Sequence, residues 1–130
     1  MSHDALKDRT DEQLWRDALA AFAARDFFEV HEQLEELWRR VPRAEKDTVQ
    51  GLLQAAVCLH HFTRGNFAGA RLLASQAIKK LTRAPSIYRG FDVADFLPRF
   101  KQAVSPLASK ELVNTLELRD APLPRTVNHR

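Results

Sequence analysis

Phe27-Phe28-Glu29-Val30-His31-Glu32-Gln33-Leu34-Glu35-Glu36-Leu37-Trp38 sets a histidine and several carboxylates directly beside an apolar stripe. At about 100° per residue, Phe27, Val30, Leu34 and Leu37 share one helical face, and His31, Glu35 and Trp38 follow its flank at i, i+4 and i+7. An apolar stripe of this period belongs to a helix that packs against other helices. The charged flank beside it suits a metal, a ligand or a hydrogen-bonded core, and the spacing alone leaves all three open.

The signals on either side of this stretch are helical too. Thr10 followed by Gln13 reads as a capping box, opening a helix whose apolar face is Leu14, Trp15, Ala18 and Phe22. Asp26 followed by Glu29 reads as a second box, and Pro42 closes the helix that it opens. A third helix is expected from near Ala44 to about Thr63. Its middle, Leu52-Leu53-Gln54-Ala55-Ala56-Val57-Cys58-Leu59, is apolar nearly all round and reads as the central helix of a bundle. Arg64-Gly65-Asn66 then supplies a turn, with Gly65 suited to a left-handed position and Asn66 to an N-cap. A fourth helix carries Ala70, Leu73, Ala74, Ala77 and Leu81 on one side. Pro98 falls inside the periodic run Val93, Phe96, Leu97, Phe100, which predicts two short helices there. Ser109 to Leu116 reads as a further turn or two, and Ala121-Pro122-Leu123-Pro124 cannot continue a helix.

Asp26-Phe27 and Asn66-Phe67, forty positions apart, each follow one helix and open another. The expected fold is all-α, a five- to six-helix bundle built on two antiparallel helical hairpins. The second hairpin, with Gly65, Phe67, Ala70 and Ala77, weakly resembles a tetratricopeptide unit, although the period exceeds that family's roughly 34 residues and Gln54 and Cys58 depart from its pattern. The domain is expected over residues 11–105, with 1–10 a flexible N-terminus and 106–130 a short helix and a flexible tail.

A length of 130 residues suits one domain with a single core. No apolar run approaches the roughly 18 to 20 residues of a membrane span, and Met1-Ser2-His3-Asp4 lacks the features of a signal peptide, so a cytoplasmic protein without membrane contact is expected. The lone Cys58 excludes a disulfide or multi-cysteine zinc site within one chain and reads as core filler. The net charge of +3 divides into −3 over residues 1–65 and +6 over residues 66–130. Nucleic-acid binding by that basic second half, through Lys79, Lys80, Arg83, Arg89, Arg99 and Lys101, is disfavoured, because scattered charges of this kind usually make a solvated face.

Phe28-Glu29-Val30-His31-Glu32-Gln33-Leu34-Glu35-Glu36-Leu37-Trp38, then Gln50-Gly51-Leu52-Leu53-Gln54-Ala55-Ala56, Leu59-His60 and Arg64-Gly65-Asn66, together resemble the family catalogued as domain of unknown function 309. The likeness covers about residues 14 to 100. It implies a small all-helical fold of bacterial and archaeal proteins with no assigned activity. The positions it carries over are His31, Glu32, Glu35, Trp38, Gln50, Gly51 and His60.

Three chemistries compete for these residues. In the first, His60 shares the helical angle of Val49, Leu53 and Ala56, points into the core, and donates to Glu32 or Glu35 as part of a buried His/Glu/Gln cluster. In the second, the flank of His31, Glu32, Glu35, Trp38, Gln50 and His60 forms a pocket for a peptide or small molecule. In the third, His31, Glu35 and His60 hold a divalent metal and Glu32 is the base of a hydrolase. Against that third reading, the residue four after His31 is Glu35 rather than histidine, no Glu-x-x-His pair occurs, and Gln50 suits harder ions than zinc. Serine-nucleophile, phosphate-loop and dinucleotide chemistries lack their motifs. The favoured expectation is a helical binding module, with a homodimer through exposed Phe96 or Phe100 as a further expectation.

Overall fold

The computed structural model describes residues 3–108 and Arg125. Its elements run α1 (His3–Lys7), α2 (Asp11–Ala23), α3 (Phe27–Arg40), α4 (Arg43–Thr63) and α5 (Phe67–Thr82). There follow a hairpin of β1 (Ile87–Tyr88) and β2 (Phe91–Asp92), then α6 (Val93–Val104) and a 3-10 turn over Ser105–Ala108. The described residues are all-α apart from this two-stranded sheet, as expected. Helices α2 and α3 form one antiparallel hairpin, α4 and α5 the other, and α4 packs against both α3 and α5.

The capping chemistry sets these boundaries. Thr10 and Gln13 close a complete capping box at the start of α2. Asp26 Oδ1 accepts from Glu29 N at α3, but the Glu29 carboxylate takes Gln33 Nε2 at 2.6 Å instead of returning to the cap. Asn66 Oδ1 accepts from Gly69 N at α5. The two interhelical turns are close copies. Arg25 (φ 59°) and Gly65 (φ 75°) hold the left-handed position after α2 and α4, and the next residues, Asp26 (φ −89°, ψ 77°) and Asn66 (φ −88°, ψ 77°), share one conformation. The forty-residue spacing seen in the sequence is therefore a repeat of backbone geometry.

Three expectations meet a different outcome. Within the span read as a flexible N-terminus, residues 3–7 form α1. Leu6 is buried, and Arg40 from α3 donates to the carbonyls of Leu6, Lys7 and Arg9, so one guanidinium satisfies the orphan end of this short helix. Among the described residues beyond Pro85 there is one α-helix, not two, and it is preceded by a β-hairpin. Pro98 and Ala94, whose carbonyl loses its usual partner, both stand exposed, while Val93, Phe96, Phe100 and Val104 keep a continuous buried face. Phe96 and Phe100 are each 0% exposed, so they cannot be a dimer seam. The expected turn at 109–116 and most of the tail lie outside the described residues.

The core is aromatic at the α2, α6 and hairpin end. Phe22, Phe91, Phe96 and Phe100 are fully buried, each burial contributing about 1.5–3 kcal/mol. Phe96 meets Phe22 and Phe91 edge-on at 6.0 and 5.5 Å and stacks on Phe100 at 5.6 Å. Arg89 and Gly90 have positive φ and join β1 to β2 as the two central residues of the turn. Trp15 Nε1 donates to Arg89 O at 3.1 Å and Tyr88 Oη to Glu45 Oε1 at 2.7 Å, tying the turn to α2 and α4. At the crossing of α4 and α5 a Cβ on Gly51 would stand 2.9 Å from Leu81 Cγ and Cδ2, so glycine is what allows that approach. Cys58 is 0% exposed, and burial pushes its thiol up to about 12, which fits core filler.

Candidate functional site

Two adjacent phenylalanines begin α3 and point about 100° apart, and here only the first is buried. Phe27 is 3% exposed and packs on Phe22; Phe28 is 57% exposed. One turn on, α3 presents His31, whose ring centre lies 6.2 Å from that of Phe28. The last turns of α4 bring His60 to the same phenyl ring at 6.3 Å. Phe27, Phe28, His31, Val57 and His60 line an open groove of about 190 Å³ between the start of α3 and the end of α4.

His31 is oriented from its own helix. Its Nε2 lies 3.1 Å from Glu35 Oε2 and its Nδ1 3.8 Å from Glu32 Oε1. The other oxygen of Glu35 accepts from Arg39 Nη2 at 2.9 Å, so His31, Glu35 and Arg39 form a ladder of i, i+4 pairs. His60 does not point into the core to meet Glu32 or Glu35. It is part-buried at the groove, and among the described residues its ring nitrogens have no hydrogen-bond partner. Partial burial lowers its imidazole below the usual 6.5. The positive field of Arg64, His61 and His31 lowers it further, against Asp26, which raises it.

The remaining residues of the expected cluster are dispersed. Trp38 lies towards the other end of α3, beneath Lys46, whose Nζ stands 4.4 Å from the ring centre and donates to the Trp38 carbonyl. The Trp38 Nε1 is buried and has no hydrogen-bond partner among the described residues. Gln50 is part-buried on α4 and is not among the residues that line the groove. The structure thus brings His31 together with Glu32 and Glu35, sets His60 in the same groove as His31, and leaves Trp38 and Gln50 elsewhere. Among the described residues no three His, Cys, Asp or Glu side chains are arranged to hold a metal ion.

Several polar residues that the sequence reading passed over are buried more deeply than those it chose. Glu36 is 8% exposed and binds Arg39 at 3.2 Å and Arg40 at 3.0 Å. Burial raises its carboxyl, and the two guanidiniums overcome that and hold it below the usual carboxylate value. Gln54 Nε2 reaches Gln76 Oε1 at 3.0 Å, linking α4 to α5. In the basic second half, Arg83, Arg89 and Arg99 each face a carboxylate, of Asp47, Glu45 and Asp95. No helix among the described residues is long and apolar enough to cross a membrane.

The groove is therefore framed by the two helices that carry the sequence motifs. Residues 15–73 match the family described as Domain of unknown function (DUF309). The DUF309 match runs from Trp15 in α2 into α5, so it contains every residue lining the groove and stops short of the β-hairpin and α6. Over 108 residues the chain is 31% identical to an uncharacterized protein of Aquifex aeolicus (strain VF5), covering 82% of this chain and 32% of that one. Over 60 residues it is 45% identical to the uncharacterized protein YpuF of Bacillus subtilis (strain 168), covering 45% of this chain and 34% of that one. These alignments span about a third of the length of those relatives. No solved structure matches the chain.

Proposed function

We propose that this domain is a binding module whose groove between α3 and α4 receives a group the size of one ring or one branched side chain, from a small molecule or a peptide. The observation that carries this reading is Phe28, a 57% exposed phenyl ring flanked by two imidazoles over an apolar floor of Phe27 and Val57. Full burial of a phenylalanine contributes about 1.5–3 kcal/mol, so roughly half of that remains to be gained when a ligand covers the ring. Few polar groups on a mostly apolar concave surface is the usual composition of a ligand site.

The test is a titration of isotope-labelled protein with a library of small aromatic and branched-chain compounds and short peptides, followed by NMR. Binding in the groove moves the resonances of Phe28, His31, Val57 and His60 as one set, and Phe28→Ala weakens it while leaving the thermal midpoint within a few degrees. Compounds that shift resonances only elsewhere, or a library that shifts none of these four, would refute the reading.

A further inference from the structure

We propose that the ligand of this groove is a small apolar carboxylic acid, its ring or branched body on Phe27, Phe28 and Val57 and its carboxylate at His60. This rests on the groove being a binding site and adds the chemical class of the occupant. Size sets the first limit. An apolar cavity of about 150 Å³ takes one benzene, so the roughly 190 Å³ available between α3 and α4 accommodates a single ring with a carboxylate attached.

Polarity sets the second. The polar side chains lining the groove are the imidazoles of His31 and His60, with no carboxylate among the lining residues. His31 already faces Glu35 and Glu32 through its two nitrogens. His60 has no hydrogen-bond partner among the described residues, which leaves its ring nitrogens for an incoming group. Charge sets the third. The charged groups acting on His60 are Arg64 from the end of α4 and Asp26 from the turn before α3, of which Arg64 acts more strongly, and His31 from α3 and His61 from α4 add to the positive side when protonated. A carboxylate at His60 enters a favourable field and an ammonium an unfavourable one. Arrival of the anion also favours the imidazolium, so binding takes up a proton near neutrality and a charge-assisted hydrogen bond replaces a neutral one.

Phenylacetate, its neutral isostere phenylacetamide and the cationic phenethylamine separate the arguments, each titrated by calorimetry and by histidine NMR at about pH 6 and about pH 8. The acid should bind about tenfold more tightly than the amide, the fold-change of one charge-assisted hydrogen bond. Its advantage should grow on acidification and shrink with added salt, and the amine should bind weakest. His60→Gln should remove the acid's advantage and leave amide binding in place. Arg64→Gln, at an exposed position at the end of α4, should reduce that advantage without touching the apolar contacts. Equal binding of acid and amide, or preference for the amine, would overturn the acid class and leave the groove a binding site. Failure of all three probes to move the groove resonances would overturn this inference, and the broader library then decides whether the groove binds anything.

Discussion

Replacing Gly51 with alanine tests the closest interhelical approach in the bundle. In an open helix interior the change would stabilise by about 0.8–1 kcal/mol, because alanine has less backbone entropy to lose. Here the new methyl would stand 2.9 Å from both Leu81 Cγ and Cδ2 and 3.2 Å from Lys80 Cβ, and Leu81 is 1% exposed, with no room to retreat. Overpacking of this kind costs about 1–3 kcal/mol. Set against the propensity gain, the expected net change is a destabilisation of about 1 kcal/mol, or a thermal midpoint lower by about 3–5 °C. Leu81→Ala alone should cost about 2–5 kcal/mol by opening a cavity. In that background Gly51→Ala should change sign, stabilising by up to about 1 kcal/mol, because the obstructing isobutyl group has gone. Urea denaturation of the four proteins, followed by circular dichroism, measures the coupling directly. A Gly51→Ala protein that is more stable than the parent with Leu81 in place would refute the account of the crossing.

Arg25 holds a left-handed conformation that costs an L-residue about 1–2 kcal/mol. Arg25→Gly should therefore stabilise by about 0.5–1 kcal/mol and Gly65→Ala should destabilise by about 1, and equal and opposite shifts in urea midpoint would check the equivalence of the two turns. Tyr88, the single tyrosine, is pushed up to about 12 by burial and by its hydrogen bond to Glu45. An acid whose folded pKa exceeds its unfolded one contributes stability in full below the unfolded value of about 10 and loses it towards 12. The protein should weaken over that window by on the order of 2 kcal/mol; Tyr88→Phe should lack this alkaline slope, and tyrosinate absorption should appear only with unfolding. Arg40→Ala removes the donor to three carbonyls around α1 and one of the two arginines on Glu36. It should cost about 2–3 kcal/mol and raise hydrogen exchange at residues 3–7 far more than in α4; unchanged exchange there would refute the clasp.

The helices were legible because their ends carry local chemistry. Thr10 with Gln13, Asp26, Pro42, Gly65 and Asn66 all act within three residues of where they stand. The features that escaped depend on distant groups. Residues 3–7 hold one buried apolar side chain, Leu6, and the helix there owes its definition to Arg40, more than thirty positions away. The β-hairpin has two-residue strands, too short for an alternating pattern to register, and its turn uses Arg89 in place of the usual Asn or Asp. The angle that His60 shares with Val49, Leu53 and Ala56 predicts an inward ring, but Leu53 is itself only partly buried, and His60 lines the open groove beside the start of α3. The pair Phe27-Phe28 does not signal that opening, since the adjacent Leu14 and Trp15 of α2 are both buried.

The bond from Trp15 to Arg89 has a kinetic meaning. The α2–α3, α3–α4 and α4–α5 seams join chain neighbours, whereas this bond links residues 74 positions apart. Contacts between neighbours close small loops and form early; a link across most of the chain waits until the bundle beneath it exists. The hairpin and α6 should therefore dock last on folding and detach first on unfolding. The indole of Trp15, seated against Tyr88 at 5.4 Å, reports that step in its own fluorescence.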